Sequence, residues 1–312
     1  MEEDYPKTLM ELEERFSTES ACRDYLTRLR WPGGFVCPDC QFKGGWMDRR
    51  HRWTCSGCRR QFTVTAGTIF EGTHLPLRVW FGAAWLVTSQ KSGASALGLQ
   101  RVLGLGSYKT AWSCLHKLRR AMVRPGRDCL SGTAEVDETY VGGASAGVGR
   151  DSVSKALVAI AAQEDGEGIG RIRLARIADA STPSLHGFIR QAIATGSIVH
   201  TDGWPPYQGL EKLGYVHTVT RLKGQSKEAA AELLPRVHRV ASLLKRWLLG
   251  THHGAVESVH LDDYLDEFTF RFNRRKSTSR GKLFFRLIEQ AVRVEPVTFD
   301  AMIGKSRSDH NW

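Results

Sequence analysis

Apolar positions recur at helical spacing in the first part of the chain and alternate as in strands later. Leu9, Leu12, Phe16, Cys22, Tyr25 and Leu29 predict a helical hairpin or one interrupted helix over Thr8–Arg30, stopped by Trp31-Pro-Gly-Gly34. Residues 35–65 lose that period and are rich in Cys, Gly and aromatic residues. Helical spacing returns at Leu77–Lys91 through Val79, Trp80, Ala83, Ala84 and Val87. A shorter helix follows over Ser95–Leu103, ended by Gly104-Leu-Gly106. A longer one opens at Ser107 or Tyr108 and runs to Arg124, with Trp112, Leu115, Leu118 and Met122 on one face. From Ser131 the pattern becomes short apolar strands between polar turns. The chain therefore divides into a helical segment (1–34), a Cys-rich module (35–66), a second helical segment (74–126), a strand-rich domain (131–290) and a tail (291–312).

Charge and cysteine usage narrow the chemistry. Lys and Arg number 44 against 33 Asp and Glu, a net charge of +11 that suits a polyanion such as nucleic acid. The most apolar stretch, around Val79–Val87, is far short of the ~20 residues of a spanning helix, and the N-terminus is acidic, unlike a secretion signal. No membrane partner is expected, and four of the seven cysteines, in two CxxC pairs, point to a reducing cytosol and a metal. Cys37-Pro-Asp-Cys40 and Cys55-Ser-Gly-Cys58 stand fourteen residues apart, a spacing that closes a zinc ribbon on one structural Zn²⁺. Gly44-Gly45 supplies a turn between them, and Trp46, Trp53 and Phe62 supply strand residues. Cys22, Cys114 and Cys129 read as core thiols. Lys43, Arg49, Arg50, Arg52, Arg59 and Arg60 crowd this module and are expected to meet nucleic-acid phosphates, a solvated charged face being the alternative.

Short helix, glycine turn and longer helix over 95–124 form a helix-turn-helix-like layout, equally compatible with a helical linker that packs on its neighbours. Its second helix carries Lys109, Lys117, Arg119 and Arg120 as candidate DNA contacts. The strand-rich domain reads as strand (Ala134–Gly143, entering a glycine turn), strand (Lys155–Ala162), strand (Arg171–Ala178), helix (Ser184–Ala194) and strand (Ser197–Trp204). That is the order of an α/β, RNase H-like mixed sheet flanked by helices. Asp137 on its first strand would lie beside Asp202 at the end of its fourth. Paired carboxylates repel each other and suit divalent metal. Glu135 and Glu138 are expected to point away from the metal face.

The pieces Val136-Asp-Glu-Thr-Tyr-Val-Gly-Gly143, Thr201-Asp-Gly-Trp204 and Tyr264-Leu-Asp-Glu-Phe-Thr-Phe-Arg-Phe-Asn-Arg-Arg275 resemble the ISXO-type transposases of bacterial insertion sequences. The resemblance covers about Phe16 to Leu287. It implies a DDE catalytic domain with Asp137, Asp202 and Glu267 as its acids, two catalytic Mg²⁺ or Mn²⁺ ions, and double-stranded DNA partners, namely terminal inverted repeats and target DNA. The protein is expected in the bacterial cytoplasm at the nucleoid, acting on DNA as a homodimer or higher oligomer.

The third acid can also be read from the residues. If His260–Asn273 is a helix, Leu261, Tyr264, Leu265, Phe268 and Phe272 form its buried stripe. Glu267 and Asp263 share a face beside it. Glu267 is favoured and Asp263 is the alternative, over Glu257, Asp262 and Asp266; an ion pair from Glu267 to Arg271 is the competing structural reading. Arg274, two turns on, is a candidate phosphate contact. Trp204 and Tyr207 read equally as core or as base-stacking groups. The turn 144–149 carries few cations, so no DNA contact is expected there. A plain nuclease on the same fold, or a DNA-binding regulator derived from a transposase, are the rival readings.

Overall fold

Thr8 and Thr18 break the N-terminal helical run in two, each accepting a backbone N–H in the first turn of its helix: α1 (Leu9–Arg15) and α2 (Glu19–Arg30). The structure, a computed structural model, describes residues 3–124, 126–142, 155–220, 233–252, 256 and 258–304. The turn 144–149 and Glu257 lie outside the described residues. The chain forms two compact units, residues 1–124 with 277–312, and residues 125–276.

In the first unit, β1 (Gly45–Met47), β2 (Trp53–Cys55) and β3 (Gln61–Phe62) make an antiparallel sheet in that order. Metal ligands replace most of a core here, and the little that exists is aromatic: Phe35 stacks on Trp53 at 5.0 Å and meets Trp31 edge-on at 4.9 Å. Helices α3 (Leu77–Ser89), α4 (Ala96–Val102) and α5 (Tyr108–Arg120) follow, with Ser95 and Ser107 capping the last two. The helix Arg280–Ala291, which the sequence reading placed in the strand-rich domain, belongs to this unit instead and packs on α3 and α2. Its Phe284 joins Phe16, Tyr25, Phe81 and Trp85. Gly281 permits the docking, because a Cβ there would overlap the Pro6 carbonyl.

The second unit is a five-stranded mixed sheet in the order β6-β5-β4-β7-β8. Its strands are β4 (Thr133–Val141), β5 (Ala156–Asp165), β6 (Gly168–Ile177), β7 (Ile198–Thr201) and β8 (Val216–Val219). The first three pair antiparallel, while β7 lies parallel to both β4 and β8. Alternation assigns the faces. Ala134, Val136, Ala159, Ala161 and Val199 pack with α6 (Thr182–Ala192) on one side. Val158, Ile160, Ala162, Ile172 and Leu174 pack on the other with α7 (Pro235–His252) and α8 (Leu261–Asn273). Helix α7 lies over β5 and β4, and α8 over β6.

Candidate metal centres and nucleic-acid surface

The two CxxC turns bring Cys37, Cys40, Cys55 and Cys58 together, all four sulfurs within 4.8 Å of one another. Cys37 Sγ stands 3.6 Å from Cys58 Sγ, and Cys40 Sγ 3.6 Å from Cys55 Sγ. Thiolates ~2.3 Å from a tetrahedral zinc stand ~3.8 Å apart, so the cluster fits a structural ion. The N–H groups of Gly57 and Cys58 donate to Cys55 Sγ at 3.3 and 3.4 Å, which favours the thiolate. Four sulfur ligands leave no position for substrate. Of the other cysteines, Cys22 and Cys114 are buried as expected, whereas Cys129 is only half-buried.

Around the ribbon, Lys43, Arg49, Arg50, Arg59 and Arg60 are exposed, and the Arg59 guanidinium lies 5.4 Å from the ring centroid of exposed Trp46. Arg52 and Arg60 are ion-paired to Asp48 and Asp39. On α5, Lys109 and Arg120 are exposed and Lys117 is half-buried. Arg119 is 1% exposed with its guanidinium 3.1 Å from His116, which corrects its placement among surface phosphate contacts. A count of cations on a helix face cannot tell a solvated arginine from a buried one.

The second centre lies in the mixed sheet. The parallel register pairs Thr133 with Ile198, Ala134 with Val199 and Glu135 with His200. Continued by two residues, that register sets Asp137 opposite Asp202, the first residue beyond β7, and Asp202 acts electrostatically on Asp137. Gly203 takes φ +78° and turns the chain outward, while Asp202 Oδ1 accepts the Trp204 N–H at 2.9 Å. Burial pushes the Asp137 carboxyl up to about 7, with Glu138 and Asp202 adding to the rise and Lys245 opposing it. Hard carboxylate oxygens placed together in a partly buried position suit a divalent cation.

Helix α7 supplies what the sequence reading missed. His238 Nδ1 stands 3.7 Å from Asp137 Oδ2, and its buried Nε2 has no hydrogen-bond partner among the described residues. Lys245, two turns on, acts electrostatically on Asp137. The hard oxygens of the two aspartates, with the His238 imidazole nearby, are of a kind that holds a divalent cation. The amphipathic run Val237, Val240, Leu244, Trp247 and Leu248 was a legible signal for the helix itself.

Among the described residues, neither Glu267 nor His238 completes with Asp137 and Asp202 a cluster whose ligand atoms all lie within 4.8 Å of one another. Glu267 is buried on α8 and pairs with Arg271 at 3.4 Å. Asp263, the alternative, sits in the first turn of the same helix, and Asp262 pairs with Arg176 of β6 at 3.3 Å. Arg274 donates to the Phe270 carbonyl at 3.1 Å and covers its ring.

The neighbours of Asp137 also differ from expectation. Glu135, two residues away, shares the face of Asp137 and is occupied by α7, as strand alternation requires. Glu138 does face away, and its carboxylate accepts the Tyr207 hydroxyl at 2.6 Å. Tyr207 is fully buried core, whereas Trp204 is 52% exposed beside Asp202.

The fold and the acid pair define an RNase H-like domain with a carboxylate centre, preceded by a Cys₄ ribbon. Residues 17–61 match the transposase zinc-ribbon domain and residues 129–273 the ISXO2-like transposase domain. The chain belongs to the ISXO2-like transposases of insertion sequences. It is also similar to a protein of Halobacterium salinarum described as an uncharacterized protein in transposable element ISH50, with 26% identity over 274 residues, 82% of this chain and 91% of that one. These family domains suggest DNA as the partner. Among the described residues no helix is long and apolar enough to cross a membrane.

Proposed function

We propose that this insertion-sequence transposase binds the terminal inverted repeats of its element and catalyses strand cleavage and strand transfer at Asp137, Asp202 and His238. The observation that supports the reading is the parallel register of β4 and β7, whose continuation leads to Asp137 and Asp202, with His238 of α7 3.7 Å from Asp137. Divalent cations, Mg²⁺ or Mn²⁺, held there would activate the attacking oxygen and neutralise the leaving one in an in-line displacement at phosphorus. Asp137 and Asp202 offer hard oxygen ligands, and His238 offers Nε2. Lys245 places a cation next to the pair, where a phosphate oxygen would enter. Glu267, engaged with Arg271, keeps α8 in place and is not assigned to the metal. Its buried pair makes it a structural residue in this reading.

The ribbon and α5 contribute the sequence-independent part of binding through exposed Arg49, Arg50, Arg59, Lys109 and Arg120, whose phosphate contacts release counterions. Exposed Trp204 beside Asp202 is placed to stack on a base near the scissile phosphate. The experiment is cleavage and strand transfer on DNA carrying the element's ends. Asp137→Asn, Asp202→Asn and His238→Ala should each abolish both reactions with zinc retained, and Glu267→Gln should leave measurable activity wherever the protein folds. Activity in the two Asn variants would overturn the site. Loss of activity in folded Glu267→Gln with a fully active His238→Ala would return the third role to Glu267. Cleavage without strand transfer by the wild-type chain would make it a plain nuclease.

A further inference from the structure

Glu135 is 1% exposed, and a carboxylate that deep is costly unless its lone pairs are filled. One element fills them. Oε2 accepts the backbone N–H groups of Arg236 at 2.7 Å and Val237 at 2.9 Å, and Oε1 accepts from Arg236 Nη1 at 2.8 Å. Both amides belong to the first turn of α7, where the helix leaves N–H groups unpaired and its dipole favours negative charge. The same guanidinium is fixed on three further sides: by Glu164 at 3.1 Å, the Gly168 carbonyl at 3.0 Å and the Gly166 carbonyl at 2.8 Å. The start of α7 is thus tied to β4 and to the β5–β6 turn at once.

This anchor is adjacent to the chemistry on both elements. Asp137 follows Glu135 by two residues on the same strand face, and His238 follows Val237 directly. A slip of one residue in α7 would turn it by about 100° and carry His238 away from Asp137. We propose that Glu135 is a positioning residue: with Arg236 it sets the axial register and rotation of α7, and so holds His238 and Lys245 at the acid pair. The inference rests on the reading of Asp137, Asp202 and His238 as a metal site. It adds a role for a strand acid that touches neither metal nor DNA.

The test is Mn²⁺ binding to the full-length, zinc-loaded chain, read by loss of the free-ion electron paramagnetic resonance signal, together with a double-mutant cycle. Glu135→Gln should weaken Mn²⁺ binding about 10–100-fold, the usual effect of losing a group that orients a ligand. Zinc content and affinity for end DNA should stay within about twofold of wild type. In the His238→Ala background the same change should add little, because the ligand it positions is gone. Full additivity with His238→Ala, or unchanged Mn²⁺ binding in a folded Glu135→Gln protein, overturns the proposal. If Glu135→Gln does not fold, Arg236→Lys enters the cycle in its place with the same two outcomes. Asp137→Asn separates the two readings: if it binds Mn²⁺ as wild type does, the metal site itself is wrong, whatever Glu135 does.

Discussion

Removing the hydroxyl of Tyr207 probes the far side of the acidic centre without touching a proposed ligand. Tyr207 is fully buried and donates to Glu138 Oε2 at 2.6 Å. Burial pushes the Glu138 carboxyl above its ordinary range, the Tyr207 hydroxyl opposes that rise, and Asp202 adds to it. Tyr207→Phe keeps the ring packing and deletes one hydrogen bond to a charged group, worth about 1.5–3 kcal/mol. For a unit of roughly 150 residues that corresponds to a fall of roughly 3–12 °C in Tm.

The pH dependence gives the sharper test. Because the folded Glu138 pKa is raised, its protonation favours the folded state. The stability tied to this group is complete below the unfolded carboxyl value and declines as pH rises through the folded one. Deleting the hydroxyl moves the folded value higher still, so the variant loses more of its stability on the alkaline side. Thermal melts followed by circular dichroism at about pH 4 and about pH 8, without added divalent metal, should show a small difference from wild type in acid and the full difference in base. A difference that is flat with pH, or larger in acid, would refute the charge-assisted bond as its origin.

Three further outcomes are expected. Cys55→Ser should lose the ribbon zinc, seen as a fall from about one ion per chain by elemental analysis, because a structural site keeps its metal only with all four ligands. Binding to end DNA should weaken steeply with salt, and replacing Arg49, Arg50 and Arg59 together by Ala should lower the slope of log affinity against log salt by roughly three. Apo Asp137 holds a proton up to about pH 7, raised by burial and then by Glu138 and Asp202. Mn²⁺ must displace that proton, so calorimetric affinity should fall about tenfold per pH unit below that value and level off above it.

The parts of the fold written locally were legible in the sequence. The ribbon was, because CxxC spacing fixes where two thiolates can stand whatever surrounds them. So was the strand order of the mixed sheet, because Leu157–Ala162 is apolar on both faces and 171–177 alternates. The side-by-side placement of Asp137 and Asp202 followed from that order. What failed was the docking of helices. The stripe of α8 was read correctly, yet a stripe does not say which strand it covers; α8 covers β6. The helix Arg280–Ala291 was assigned to the wrong unit for the same reason, since its partners α2 and α3 lie two hundred residues upstream. Arg119 looked like a surface cation on α5 because burial is a tertiary property.

Glu135 failed in a more instructive way. Alternation alone puts it on the face of Asp137, but a lone buried acid beside a candidate metal ligand makes no sense until its counterpart is known, and Arg236 lies 101 residues away. Once that pair is seen, the electrostatics of the centre divide cleanly. Glu135 is neutralised by its arginine and by the helix start, so it can be buried permanently. At Asp137 and Glu138 burial and neighbouring carboxylates raise the pKa, and Lys245 opposes that rise at Asp137. The chain carries a net +11 overall, which draws in a polyanion, while the carboxylates of this centre, once deprotonated, would repel a phosphate. A centre of that sign can receive a phosphodiester only after cations have been bound, so in this reading metal loading precedes productive engagement of the scissile phosphate.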